Sequence, residues 1–288
     1  MKNIPTSPRI ALMKHNRKVG RIRLVLLFII LFISFVWALS YFSSDKRIVI
    51  NKIIITGNSI IDSKELEQNV NEKITGRYIG LFARANVLIY PKDRIYKDLV
   101  TNFPRIESLN INSEGLNILY LSITERLGSF LYCGEVLPIN KEEVGENCFF
   151  VNNDGLIFDK APYFSGDIYF KYYTDIKMID GKVLSSQVYE PIRFHELVRF
   201  VDGVKALGFK PIYLVNLPDQ TFYLYLKSNS DKPNPKIIFK EENDLVTILD
   251  NLGTAMGEKE FANEINSKYD ALSYIDLRFK NKVLYKFQ

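Results

Sequence analysis

Cys133 and Cys148 are the only cysteines in the sequence, and their spacing is open to three chemistries. Outside the cytoplasm an even pair reads first as a disulfide, and closing a loop of this length contributes roughly 3 kcal/mol in the chain-entropy model. Two free thiols are the second reading. A metal site is the third, but zinc needs more ligands at closer spacing and no C-x-x-C is present. Histidine occurs only twice. His15 lies in a basic stretch, and His195 stands beside Glu196 in a helical pattern where a structural role suffices. A Ser-His-Asp or Cys-His mechanism would rest on His195 alone, without the nucleophile elbow G-x-S-x-G. The phosphate-binding G-x-x-x-x-G-K-S/T and the zinc-binding H-E-x-x-H are missing as well. Thirty-three acidic residues offer many carboxylate pairs, and spacing singles out none of them. Asp276 and Arg278, two apart on one face of a strand, read as an ion pair. Glu125-Arg126 ends a strand, where contact with a following domain is one role open to it. The expectation is a chain with no catalytic residue, no metal and no cofactor, and not an enzyme.

The elements that must position these residues begin with a membrane segment. Lys2, Arg9, Lys14, Arg17, Lys18, Arg21 and Arg23 precede residue 24 with no acidic residue among them. Removing those seven from 38 basic residues leaves 31 against 33 acidic ones, so the body of the protein is close to neutral and nucleic-acid binding is not expected. Leu24–Phe42 then runs for nineteen residues without a charge. As a helix it spans roughly 28 Å, the hydrocarbon thickness of a bilayer. Trp37 and Tyr41 suit the interfacial belt. A cleaved signal peptide has a shorter apolar core and small residues at the cleavage site, which "SYFSSD" does not supply. The excess of Lys and Arg predicts a cytoplasmic tail, residues 1–23, and an extracytoplasmic remainder.

Beyond the span, "RIVINKIIITG" (Arg47–Gly57) reads as a strand. Asp62 is placed to cap a helix, with Glu65 three residues on. Leu66, Val70 and Ile74 follow at helical spacing, and Gly76 can close the helix. A loop leads to Pro91 and a second helix carrying Ile95, Leu99 and Phe103. "RIESLNI" and "LNILYLSITE" are strands on either side of Ser113-Glu114-Gly115, and Leu119, Leu121 and Ile123 alternate along the second.

After Leu127, "CFFVNNDGLIFDK" reads as a hairpin about Asp154-Gly155. Leu197, Phe200, Val201 and Val204 stripe one helix ending at Gly208, and "IYLVNL", "TFYLYLK" and "KIIFK" read as strands. Leu245, Ile248, Leu249 and Leu252 mark a further helix. The last residues, "YIDLRFKNKVLYKF", read as a strand, a bend at Lys280-Asn281 and a second short strand expected at a sheet edge. Val283, Tyr285 and Phe287 point one way along it, Leu284 and Lys286 the other. Edge strands recruit further strands unless blunted. Phe279, Val283, Leu284, Tyr285 and Phe287 are therefore the expected partner-binding residues, the alternative being that Val283–Phe287 only completes the core.

The β-α-α-β-β order, opening with "IIITGNSII" and closing with "LSITER", resembles a POTRA domain. With the basic tail, the single span, "ITGN", "ITER" and the final "YIDLRF", the chain resembles the FtsQ/DivIB family of bacterial cell-division proteins. The resemblance implies an α+β protein: a transmembrane helix (24–42), a POTRA domain (43–128) and a strand-rich C-terminal β domain (129–288). It implies a non-catalytic, single-pass scaffold at the division septum. Its partners would be small coiled-coil proteins of the FtsB/DivIC and FtsL type, with no small-molecule substrate. A membrane-anchored POTRA docking or secretion-assisting module unrelated to division is the alternative. An anchored cell-wall hydrolase is a third class, which sparse histidine and missing motifs disfavour.

Overall fold

The computed structural model describes residues 8–138, 147–164, 166–230 and 232–288, with side chains from residue 19. The first residues of the basic tail and the middle of the segment between the two cysteines lie outside them. The fold is mixed α+β and divides into two compact units, Met1–Glu125 and Arg126–Gln288.

The first unit opens with one long helix, α1 (Pro8–Ser43), whose segment Val19–Ser43 is long and apolar enough to cross a membrane. The apolar run Leu24–Phe42 is thus the C-terminal part of a longer helix, with Arg21 and Arg23 just before it. The strand β1 (Lys52–Thr56) follows, then α2 (Ser63–Ile74), the short hairpin β2 (Arg77–Tyr78) and β3 (Phe82–Ala83), and α3 (Lys92–Asn102). Last come β4 (Ile106–Glu114) and β5 (Ile118–Glu125). Asp62 caps α2, its carboxylate accepting the Lys64 N–H at 3.0 Å. Leu66, Val70 and Ile74 are buried with Ile95 and Leu99 of α3 against Leu119, Leu121 and Ile123 of β5. The sheet order is β1-β5-β4, with β1 parallel and β4 antiparallel to the central β5. Two expectations are corrected here. β4 runs on through Glu114, so the turn begins at Gly115, and the segment read as a plain loop before Pro91 contains the β2–β3 hairpin. Gly57 is required where it stands: φ is +85°, and a Cβ there would collide with the Ile123 carbonyl oxygen.

The second unit is built on one nine-stranded sheet. Its strands are β6 (Phe130–Tyr132), β7 (Phe149–Val151), β8 (Ile157–Lys160), β9 (Lys171–Tyr173), β10 (Pro211–Asn216), β11 (Thr221–Leu226), β12 (Lys236–Lys240), β13 (Leu272–Asp276) and β14 (Leu284–Phe287). Their order across the sheet is β14-β13-β12-β11-β10-β9-β6-β7-β8. The helices α4 (Pro191–Ala206), α5 (Leu245–Gly257) and α6 (Lys259–Ser267) pack on one face. Cross-strand partners share a face of a sheet. The row Tyr172, Leu214, Leu224, Ile237 and Ile275 therefore looks at the helices and is buried. The neighbouring row Tyr213, Tyr225, Lys236, Tyr274 and Lys286 looks away from them. Leu197, Phe200, Val201 and Val204 of α4 are buried as their spacing predicts, and Phe200 tilts against Phe239 with ring centroids 4.9 Å apart. Leu249 is the exception in α5, half-buried where Leu245, Ile248 and Leu252 are buried.

Candidate functional site

The terminal hairpin β13–β14 is the candidate site, and its geometry starts from the turn. Asn281 takes a positive φ of 58°, which asparagine tolerates better than most side chains, and reverses the chain. Asp276 ends β13 and is 4% exposed. Arg278 lies beyond the strand, correcting the expectation that both residues share a strand face. It folds back instead, donating from Nη2 to Asp276 Oδ2 at 2.7 Å and from Nε to Oδ1 at 3.0 Å. Its backbone N–H adds a third bond to Oδ1, also 3.0 Å. This fork pays the cost of burying the carboxylate and fixes the start of the turn. The Asp276 carboxylate also holds the Arg278 pKa above its ordinary value.

The returning strand β14 is pinned on its helix side by α6. Tyr285 Oη donates to Glu264 Oε2 at 2.6 Å, and Lys268 Nζ reaches Glu264 Oε1 at 2.9 Å. These two bonds, Tyr285 first, hold the Glu264 carboxyl below its usual range. The Tyr285 ring meets Phe261 and Phe287 edge-on at 5.2 and 5.5 Å.

Backbone direction decides what β14 can offer. Gln288 N–H donates to Ala271 O at 2.7 Å, toward β13. Leu277 N–H donates to Ile238 O, which points the intervening N–H groups of Tyr274 and Asp276 at β14. N–H groups alternate sides along a strand. Both observations therefore turn the N–H and C=O groups of Leu284 and Lys286 inward, to their partners Asp276 and Tyr274. Those of Tyr285 and Phe287 face out, beyond the last strand of the sheet. At the other end of the sheet β8 is covered. Ile157 N–H donates to Ser186 O, Ser185 N–H to Ile157 O, and Leu156 bridges Gln187. Among the described residues no segment does the same for β14.

The five expected partner-binding residues do not form one face. Val283 and Phe287 pack half-buried against the core, and Tyr285 leans on α6. Leu284 looks away from the helices, 46% exposed, and Phe279 sits in the turn, 51% exposed under the Arg278 guanidinium.

Cys133 and Cys148 are joined by a disulfide with Cα atoms 4.2 Å apart. Because Tyr132 pairs with Phe149, the two cysteines occupy the next position of the β6–β7 register, a separation suited to a non-hydrogen-bonded cross-strand pair. His195 Nε2 lies 3.1 Å from Asn153 O and 3.3 Å from Asp154 Oδ1, tying α4 to the β7–β8 turn.

Sequence reasoning missed the work of Glu125. Its Oε1 accepts N–H groups from Ser59, Ile60 and Ile61 at 2.6, 3.0 and 3.0 Å, closing the loop between β1 and α2. Burial raises its pKa, but the three donors and the nearby Arg105 outweigh that, and the net direction is down. Nothing local in "ITER" announces a partner 64 residues earlier.

No protein-family model matches this chain, and no curated protein matches it.

Proposed function

We propose that the chain is a non-catalytic, membrane-anchored docking protein of the bacterial division machinery, of the FtsQ/DivIB kind. It takes a partner segment as an added strand on β14. The observation that carries the docking step is the asymmetry of the nine-stranded sheet: one edge is covered by Ser185–Gln187, while β14 presents the outward backbone groups of Tyr285 and Phe287. β-augmentation needs such unpaired groups for affinity, and flanking side chains for choice. Lys286 and the neighbouring Lys282 blunt promiscuous pairing and favour an acidic segment.

The β-α-α-β-β order of the first unit and the preceding apolar helix support reading residues 43–128 as a POTRA domain, and the resemblance of "ITGN", "ITER" and "YIDLRF" supports the division assignment. On that reading the tail is cytoplasmic, residues 43–288 are extracytoplasmic, and the partners are coiled-coil proteins of the FtsB/DivIC and FtsL type. The decisive experiment images a fluorescent fusion of the full chain and tests co-purification with those partners. Mid-cell bands and co-purification are expected; a uniform envelope signal with no co-purification would overturn the division assignment. A second reading, a docking module outside division, is favoured by β4, whose nine residues form an edge of the first sheet.

A further inference from the structure

We propose that a cleft at the C-terminal end of α1 binds the phosphate of an anionic phospholipid. The inference rests on α1 spanning a membrane with its basic tail on the cytoplasmic side, and not on the division assignment.

The cleft is built by fastening α1 to the β2–β3 hairpin. Ser40 Oγ donates to Leu81 O at 2.8 Å, Ser43 Oγ accepts the Ala83 N–H at 3.0 Å, and Asn86 Nδ2 donates to Ser43 O at 3.1 Å. All three side chains are buried. The helix therefore enters the first unit through fixed polar contacts, and Arg77 of β2 is held level with the last turns of α1. The cleft so enclosed has a volume of about 630 Å³.

Its charge is unbalanced. Arg77 joins Lys46 and Arg47 on the wall, against the single carboxylate of Asp45. Asp45 Oδ1 already accepts the Arg47 N–H at 2.8 Å, and among the described residues neither Lys46 nor Arg47 makes an ion pair. Among the described residues Arg77 makes only a long bond, 3.4 Å, to Leu81 O. Unpaired cations close to the extracytoplasmic end of a span oppose the usual bias of Lys and Arg toward the cytoplasm. A ligand that neutralises them resolves the conflict.

The remaining wall fits a lipid rather than a free ion. Ser44 lines the same cleft, and its buried Oγ has no hydrogen-bond partner, so a rotation about χ1 would offer the hydroxyl to a phosphate oxygen. Trp37 and Tyr41 complete it, both largely exposed, and such rings sit at headgroup depth. Three cations against one carboxylate favour a headgroup with net negative charge. A zwitterionic headgroup would bring its own cation beside Lys46 and the arginines.

The test uses the full chain in non-ionic detergent. Native mass spectrometry counts retained lipid, and the fluorescence of Trp37, the only tryptophan, reports from the cleft itself. Phosphatidylglycerol, phosphatidylcholine and inorganic phosphate are titrated separately. Phosphatidylglycerol is expected to bind in preference to both others. The triple variant Lys46→Gln, Arg47→Gln, Arg77→Gln should weaken it about 100-fold, roughly fivefold for each cation lost near an anionic lipid surface. All three side chains are solvent-facing, so circular dichroism should be unchanged. A control triple variant, Lys52→Gln, Lys64→Gln, Lys92→Gln, removes as much charge from the same unit and should retain the lipid. Equal binding of phosphatidylcholine, an unaffected triple variant, or an equal loss in the control overturns the proposal. So does a Trp37 response to inorganic phosphate as strong as to the lipid, which would assign the cleft to free phosphate.

Discussion

The direction of the β14 backbone makes a prediction that separates docking from folding. Proline at Tyr285 removes an N–H that points away from the sheet, whereas proline at Leu284 removes one that points at Asp276 across the hairpin. Edge strands tolerate proline where the lost N–H faces solvent. Tyr285→Pro also loses the phenol bond to Glu264 and the contacts with Phe261 and Phe287, so its proper reference is Tyr285→Val. Those two variants lack the same contacts and differ in one outward donor. A net hydrogen bond is worth about 1 kcal/mol, and the ring's bulk in the path of an added strand increases the cost. Tyr285→Pro should therefore bind the proposed coiled-coil partner about tenfold more weakly than Tyr285→Val, with a similar melting temperature. Leu284→Pro should lower stability by about 1–3 kcal/mol, through the unpaired Asp276 acceptor and the loosened hairpin. The assay is titration of the full chain in detergent with an FtsB/DivIC-type protein, alongside thermal melting by circular dichroism. Equal partner affinity for Tyr285→Pro and Tyr285→Val would refute docking on this edge. A stability loss of Tyr285→Pro relative to Tyr285→Val as large as that of Leu284→Pro relative to Leu284→Val would refute the assignment of backbone direction.

Glu125→Gln should destabilise the first unit by about 2 kcal/mol at neutral pH, because three donors lose a charged acceptor; the figure is discounted for loop groups that can turn to water. A carboxyl whose folded pKa is lowered contributes stability above its unfolded value, ordinarily 4.5, and loses it as pH falls through the folded value. The gap between wild type and variant should thus close in acid, and chemical denaturation that shows the same gap at pH 7 and pH 3 would count against this account. The double variant Cys133→Ser, Cys148→Ser should cost the second unit about 3 kcal/mol, since the bond closes a separation of 15 residues. Native protein alkylated before reduction should show no modified cysteine, and labelling of both thiols at once would contradict the bond.

Most of the elements were legible because their signals are local. Leu66, Val70 and Ile74 recur at helical spacing and are buried together, and Leu119, Leu121 and Ile123 alternate and face one core. What escaped was carried by few residues or by distant ones. In α6 only Phe261 and Ile265 mark the apolar side of nine residues, too little to read as a helix. The β2–β3 hairpin has two residues per strand and exists through its bonds to Ser40 and Ser43, about 40 positions earlier. Glu125 likewise acts on a loop more than 60 residues away. Spacing within a window carries no information about such partners.

The terminal strand shows where periodicity stops. Alternation along "VLYKF" separates Val283, Tyr285 and Phe287 from Leu284 and Lys286, and those side chains do take opposite faces. Backbone groups alternate with the same period, but the neighbouring strand sets their phase. That neighbour, β13, fixes it through Ala271 and the Asp276 pairing. In a strand the residues whose amides face outward are not those whose side chains share the opposite face. At β14 the outward amides belong to Tyr285 and Phe287, whose rings lean on α6 or the core, while Leu284 and Lys286 present side chains to the other face. An added strand would take its hydrogen bonds from one pair of residues and its side-chain discrimination from the other. Substitutions at Leu284 and Lys286 should therefore change which partner binds, and the backbone of Tyr285 and Phe287 whether any binds at all.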